Sequence, residues 1–444
     1  MVSPQLVHDE YERGCGLPAD PGTVRYPAPS GFLASRLPTA ALALGSVGAL
    51  ASAVNRLLAS RGRDPHPWPL DAERVAASFA GDRVMRVDAE PVAGFAPMSG
   101  FFAASDGWVR THANYPHHRT RLLAALDLPA DADPGTVSTR IGELTAQDVE
   151  DRCADADAVA ARVRTEREWA EHPQGLASAD GPLVSSTATS APPSVVALSV
   201  ADPARPLAGL RVLDLTRVLA GPVAARDLAL LGAQVLRVDP PHLHEIDWQH
   251  RDTGQGKRST LLDLTVAEEL ETLRELLSTA DVLVTGYRPG SLDRFGLHER
   301  PGLVHASVSA WGTTGPWAGR RGFDSIVQAA SGISLVEGGV HPGALPVQAL
   351  DHASGHLLAA GIVDALALRG TGGGGREVSV SLARTARTLL DLTGRVGDPT
   401  EALAPGPAAV VTHGAITTAR PALPGHPEYP FPAHDWGADA PHWI

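Results

Sequence analysis

Between residues 210 and 309, short β-branched runs alternate with stretches of helical period: 210–215, 220–231, 234–238, 266–278, 282–285 and 303–309. Parallel strands need long crossovers, and a helix is the crossover that packs back on a sheet. The alternation therefore predicts an α/β unit with a Rossmann-like parallel sheet, and a nucleotide-type ligand would lie beyond the carboxyl ends of its strands. Residues 177–205, rich in Ser, Thr, Ala and Pro with no apolar period, are predicted to be a flexible connector. Upstream of them, Phe101 to Val109 reads as a hairpin with a tight Asp106-Gly107 turn, and helical period follows at 119–128 and 146–164. A smaller α+β domain is thus expected on the amino-terminal side of the sheet.

A chain of 444 residues exceeds one typical core, and 43% hydrophobic content is enough to fill two lobes. A net charge of -13 spread along the sequence argues against a nucleic-acid scaffold, which needs clustered Lys and Arg. The two cysteines, Cys15 and Cys153, cannot form a disulfide framework, and the amino terminus lacks the basic-then-apolar order of a signal peptide. A cytoplasmic location is expected. The longest apolar stretch, 39–59, contains Asn55 and Arg56 and reads as a packed helix, so no membrane segment is expected.

Asp351 stands where an extended segment after Pro346 enters the apolar run 357–368. A carboxylate at such a junction can face a cleft with its backbone fixed on both sides, and this position, together with the family resemblance given below, makes it the candidate nucleophile. A plain helix-capping role is the competing reading. His352 and His356 are one helical turn apart, and without a His or Cys cluster they read as core histidines, not metal ligands.

Four segments, PLAGLRVLDLTRVLAGP (206–222), GKRSTLLDL (256–264), ADVLVTGYRPGSLDRFGL (280–297) and SAWGTTGPWAGRRGFDSIVQAASG (309–332), together resemble the family III CoA-transferases. The resemblance implies that Asp351 attacks an acyl-CoA thioester, giving an anhydride and then an aspartyl-CoA thioester. Coenzyme A or acyl-CoA would be a substrate, with no tightly bound cofactor, and a carboxylic acid would be the acceptor. Carried onto matching positions, the CoA contacts are Leu219, Ala220, Leu262, Thr265, Tyr287, Arg294 and Arg321. Gly286 and Pro240 depart from the family pattern. Lys257 and Arg258 fit its Lys-Arg pair, although a solvated basic turn is an equal reading, and Arg217 or Arg288 are alternative cations. A homodimer is implied, interlocked in ordinary members.

In those members the small domain follows the catalytic half, whereas here it precedes it. The stretch 41–62 echoes the helix after the nucleophile, with Ala43 at the position of Asp351, so a single active centre is expected. The resulting domain assignment is an amino-terminal segment (1–90), a small domain (91–176), the connector (177–205), a CoA-binding catalytic domain (206–395) and a carboxyl-terminal strap (396–444). The glycines at 372–375 are read as a connecting turn before a strand, and a lid, if present, belongs near 92–98. Two alternatives stay open: an acyl-CoA racemase or isomerase, disfavoured because Phe323 stands where a basic His is needed, and a non-catalytic CoA-binding paralogue. A dehydrogenase is set aside because residues 216–222 hold one glycine and no Gly-x-Gly-x-x-Gly turn.

Overall fold

From its amino end the chain lays down helices α1 (Gln5–Gly14), α2 (Thr39–Ala59) and α3 (Ala72–Phe79). They are seen in a computed structural model that describes residues 3–28, 30–189, 202–297, 300–369 and 374–444. α2 is long and apolar enough to cross a membrane, yet 94% of its most apolar stretch is buried inside the protein. Its one amide is bonded on both sides: Asn55 donates to Thr23 Oγ1 (2.8 Å) and the His66 carbonyl (2.9 Å) and accepts from Trp68 Nε1 (3.1 Å).

The expected hairpin forms, but its two-residue turn falls one place earlier than the Asp106-Gly107 reading, because Gly107 already pairs with Ala104. β1 (Phe101–Ala104) pairs with β2 (Gly107–Thr111), with Ser105 and Asp106 at the turn. Helices α4 (Pro116–Ala125), α5 (Pro134–Gly142) and α6 (Ala146–Asp155) follow, and β3 (Ala160–Arg162) returns antiparallel to β2. The unit has an apolar core of its own, built on Met98, Phe102, Val109, Leu122, Ile141 and Val149.

The main sheet contains β4 (Ser185–Ala188), β5 (Arg211–Leu215), β6 (Gln234–Asp239), β7 (Arg258–Leu261), β8 (Val282–Thr285), β9 (Val304–Ser309) and β10 (Arg376–Ser381). Its order is β7-β6-β5-β8-β9-β10-β4, with every pairing parallel except β10 with β4. Helix α7 (Ala220–Leu230) joins β5 to β6, and α8 (Ala267–Ser278) joins β7 to β8. Between β9 and β10 run α9 (Asp324–Ser331) and α10 (Ala349–Arg369), and α11 (Leu382–Asp391) follows β10. Because the chain builds outward from β5 in both directions, a crevice opens at the carboxyl ends of β5 and β8.

β4 corrects the connector reading, since part of the 177–205 stretch is an edge strand of the main sheet. Its residues are half-buried or exposed and are held by backbone hydrogen bonds, so no apolar period marks them. Residues 190–201 of that stretch lie outside the described residues, as do 372 and 373 of the glycine run; the strand expected after that run is β10. The amino-terminal segment and the strap are likewise joined, because residues 86–87 and 90–91 share a four-stranded antiparallel sheet with 410–413 and 416–419.

Lys257 and Arg258 form neither a phosphate cradle nor a solvated turn. Lys257 is buried, donating to Asp214 (2.8 Å) and to the Pro222 carbonyl (3.2 Å), while Asp214 also accepts from the Thr216 N–H (2.9 Å). This pins the turn after β5. Arg258 holds the chain's end, binding Asp439 (3.3 Å) and the carbonyls of Ala440 (3.0 Å) and His442 (2.5 Å) along the β7 edge. Replacing Lys257 by Met strands the Asp214 carboxylate without its cation. Thermal denaturation is expected to show a loss of about 3–5 kcal/mol, most of it recovered when Asp214→Asn is added.

Candidate active site

α10 is buried along nearly its whole length, so the N–H groups of its first turn cannot be met by water. They are met by Asp324, the first residue of α9, whose carboxylate accepts from the Asp351 N–H (2.9 Å) and from the Leu350 N–H. The cap of this helix is therefore supplied from another helix. Asp351 is the third residue of α10, its side chain does not cap the helix, and it is left to face the crevice. One turn later, Gly355 lets α10 lie against the first turn of α7: a Cβ there would stand 2.6 Å from the Ala220 carbonyl oxygen and 2.8 Å from the Val223 side chain.

Asp351 lines two spaces at once. On one side is a cleft of about 340 Å³ over the ends of β5, β8 and β9, bounded by Leu219, Ala220, Tyr287, Arg288, Arg321 and Phe323 among others. On the other is a narrow pocket of about 30 Å³ lined by Phe79, Phe95, His112, Asn114, Trp248, Gln348 and His352. Val218, at the rim of both, holds φ at +71°, a strained setting for a β-branched residue. Its N–H donates to Glu245 (3.0 Å), which also accepts from Tyr115 (2.5 Å) and Arg237 (3.0 Å). Although burial opposes it, the Arg237 and Arg217 guanidiniums hold the Glu245 carboxyl at about 2.

Of the seven positions expected to touch CoA, Leu219, Ala220, Tyr287 and Arg321 come together in the cleft. Leu262 lies in the apolar cluster under β5 and β6, Thr265 donates to Asp263 (2.9 and 2.6 Å), and Arg294 sits 4.6 Å over the Phe295 ring. These three do not line it. Two of the cleft's cations meet on one carboxylate of the small domain: Asp157 accepts from Arg321 (3.0 and 2.9 Å) and Arg288 (3.0 Å), and also from Arg121 outside the cleft (2.9 Å). Arg217 donates to the His244 carbonyl (2.8 Å) and lies over Tyr115.

His352 and His356 are both stacked on Phe79 of α3, at 5.1 and 5.4 Å, and His356 bonds Asp227 (2.6 Å), which fits the core-histidine reading. His112 went unnoticed in the sequence. From beyond β2's carboxyl end it lines the same narrow pocket as Asp351, its ring stacked flat on Phe323 at 3.8 Å. Ala43, aligned with Asp351, borders a separate cavity of about 90 Å³ lined by Pro27, Phe32, Leu44 and Val75. Among the described residues, no carboxylate lines it.

Burial first, and Asp324 second, push the Asp351 carboxyl well above the ordinary carboxylate range. Burial also raises Asp324, to about 6, against the pull of its hydrogen bonds from Gln328 and the two backbone N–H groups. Both effects disfavour charge on Asp351, since two buried carboxylates side by side resist carrying charge together.

Residues 207–401 match the family profile described as CoA-transferase family III. That stretch belongs to CoA-transferase family III. Among curated proteins, the family III segment is 37% identical over 194 residues to an acetyl-coenzyme A transferase of Hypoxylon pulicicidum, covering 40% of this chain and 33% of the relative. It is 33% identical to a probable fatty acyl-CoA transferase of Mycobacterium tuberculosis, covering 42% and 52%. A succinate–glutarate CoA-transferase of Agrobacterium fabrum is 34% identical over 32% of this chain and 42% of its own. The chain thus spans about a third to a half of these relatives. The crystal structure of the M. tuberculosis protein superimposes with a TM-score of 0.39 at 33% identity, over 42% of this chain and 57% of that one.

Asp324→Asn keeps an oxygen to cap α10 and removes the neighbouring charge, so the titration of Asp351 is expected to move to lower pH. The protonated-carboxyl infrared band that Asp351→Asn abolishes reports it; an unmoved titration would show that the two carboxylates do not share a charge.

Proposed function

We propose that this protein moves CoA from an acyl-CoA to a free carboxylic acid through covalent intermediates on Asp351. The observation that carries the reading is the position of that carboxyl, shared between a cleft with cations at its mouth and a second, narrow pocket. The thioester enters by the cleft, where Asp351 acts once its carboxylate is free of any proton. The freed carboxylate attacks the thioester carbonyl, expelling CoA thiolate and forming a mixed anhydride. The thiolate then attacks the aspartyl carbonyl, releasing the donor acid as carboxylate and leaving an aspartyl-CoA thioester. An acceptor carboxylate repeats the sequence in reverse, so acyl-CoA of the acceptor leaves and Asp351 is regenerated. Water takes no part, and the tightness of the pocket beside Asp351 serves to exclude it.

Relatives named as acetyl-coenzyme A, succinate–glutarate and succinyl-CoA–malate CoA-transferases support CoA transfer as the class of reaction. Arg288 and Arg321 are the cations in position to meet the phosphates of CoA. A second reading, proton exchange at the α-carbon of an acyl-CoA, is favoured by His112, which supplies an imidazole beside Asp351 where Phe323 supplies none. Burial, with Arg110 adding to it, pushes that imidazole down to about 3, a weak base for the task.

Incubation with a panel of acyl-CoAs followed by hydroxylamine and peptide mass spectrometry is expected to give a hydroxamate at Asp351. Asp351→Asn abolishes it and lowers transfer about a thousandfold or more. Binding of CoA without any trapped adduct, together with solvent deuterium appearing at the α-carbon, would sink the transferase reading in favour of the second one. For the CoA subsite, Asp157→Ala releases Arg288 and Arg321, and calorimetry is expected to show CoA bound about fivefold more tightly, the scale of a partly exposed ion pair.

A further inference from the structure

Arg110 is a cation without a counter-ion. It lies on β2, 9% exposed, and its guanidinium is sandwiched by two rings, Phe101 at 4.9 Å and Phe95 at 5.1 Å. Among the described residues it has no hydrogen-bonding or ion-pair partner for its side chain, and its Nε is buried and unsatisfied. A buried guanidinium left this way is a standing cost to the fold. Nearly every other buried arginine near the site is bonded: Arg226 to Asp252, Arg237 to Asp239 and Glu245, and Arg164 to Glu150.

Its surroundings say what would complete it. Arg110 lies on β2 two residues before His112, which follows the strand, and His112 and Phe95 both line the narrow pocket beside Asp351. Arg110 is felt electrostatically by Asp324 and by His112, whereas the groups that act on Asp351 are its own burial and Asp324. Among the described residues no hydrogen bond or ion pair joins the guanidinium to Asp351, so its donors are not committed to that carboxyl. The pocket's outer wall is the Phe95 ring, itself 40% exposed, and the segment carrying it is tied down by Asn114, which accepts from the Ala96 N–H (3.0 Å).

We propose that Arg110 binds the second, unreactive carboxylate of a dicarboxylic acid whose first carboxylate is presented to Asp351. A planar guanidinium held between two rings offers a fork of donors matched to a carboxylate. This assignment rests on the proposed CoA transfer and narrows its acid substrate to a short dicarboxylate. Arg110 sets specificity; it takes no part in bond making.

The test pairs glutarate with valerate, equal in chain length and different in one carboxylate, on wild type, Arg110→Met and Arg110→Lys. With a simple acyl-CoA donor, hydroxylamine trapping at Asp351 in wild type establishes the covalent route independently of Arg110. Wild type is expected to bind glutarate more tightly than valerate, and Arg110→Met to weaken glutarate about fiftyfold, with a much smaller effect on valerate. Arg110→Lys, which keeps the charge and loses the fork, falls between. A higher melting temperature for Arg110→Met than for wild type, both without ligand, is the accompanying sign that the fold gains by losing this cation. Equal affinity of wild type and Arg110→Met for glutarate overturns the proposal, whatever trapping shows; absence of trapping in wild type with glutarate discrimination intact overturns the transferase reading alone.

Discussion

A helix that is buried along nearly its whole length needs its end groups satisfied from within the protein, and α10 is such a helix. Asp324 meets that need, and everything chemical at this site follows from its doing so. Because the cap comes from α9, the first-turn side chain of Asp351 is released from capping and turned to the crevice. Because the cap is a carboxylate, a second negative group is fixed beside the first, and the proton of the pair becomes the quantity that the site must manage. Structure and reactivity share one hydrogen bond.

The main sheet was legible because crossovers impose periods that composition cannot hide. β5, β6, β8 and β9 fall within one residue of the runs read from the sequence, and α7 and α8 likewise. What was not legible was held by tertiary contacts. β4 carries Ser185, Ser186, Thr187 and Ala188, a polar edge whose only strand signal is its hydrogen bonding to β10. Lys257 looked like half of a basic turn, since nothing in its neighbourhood announces Asp214, 43 positions away. At the site, Asp351 was visible from its junction and its family context, but His112 joins the pocket beside it across more than two hundred residues of chain, just after a strand whose own pattern is that of an ordinary hairpin.

The amino-terminal helices are also more than an appendage to the catalytic half. α2 packs along α10, and a buried cluster ties them together: Arg56 bonds Asp364 (2.7 and 2.8 Å) and Glu12 (2.7 Å), and Tyr11 bonds Asp364 (2.5 Å). α3 contributes Phe79, on which both histidines of α10 rest. The resemblance between α2 and α10 thus ends in physical partnership, one helix bearing the carboxylate and the other, with Ala43 at the matching place, bearing none.

The meeting of three arginines on Asp157 has a thermodynamic consequence. Arg288 and Arg321 belong to the crevice, and Asp157 belongs to the small domain, so docking of that domain and occupancy of the crevice by an anion draw on the same positive charge. Linkage makes the relation mutual: whatever factor the small domain takes from the affinity of an anionic ligand, the ligand takes from the hold of the small domain. β2, which carries Arg110 and leads into His112, is part of that domain. Filling one end of the crevice thus reaches the walls of the pocket at the other end through the looseness or firmness of a whole domain, with no chain of side chains needed between them.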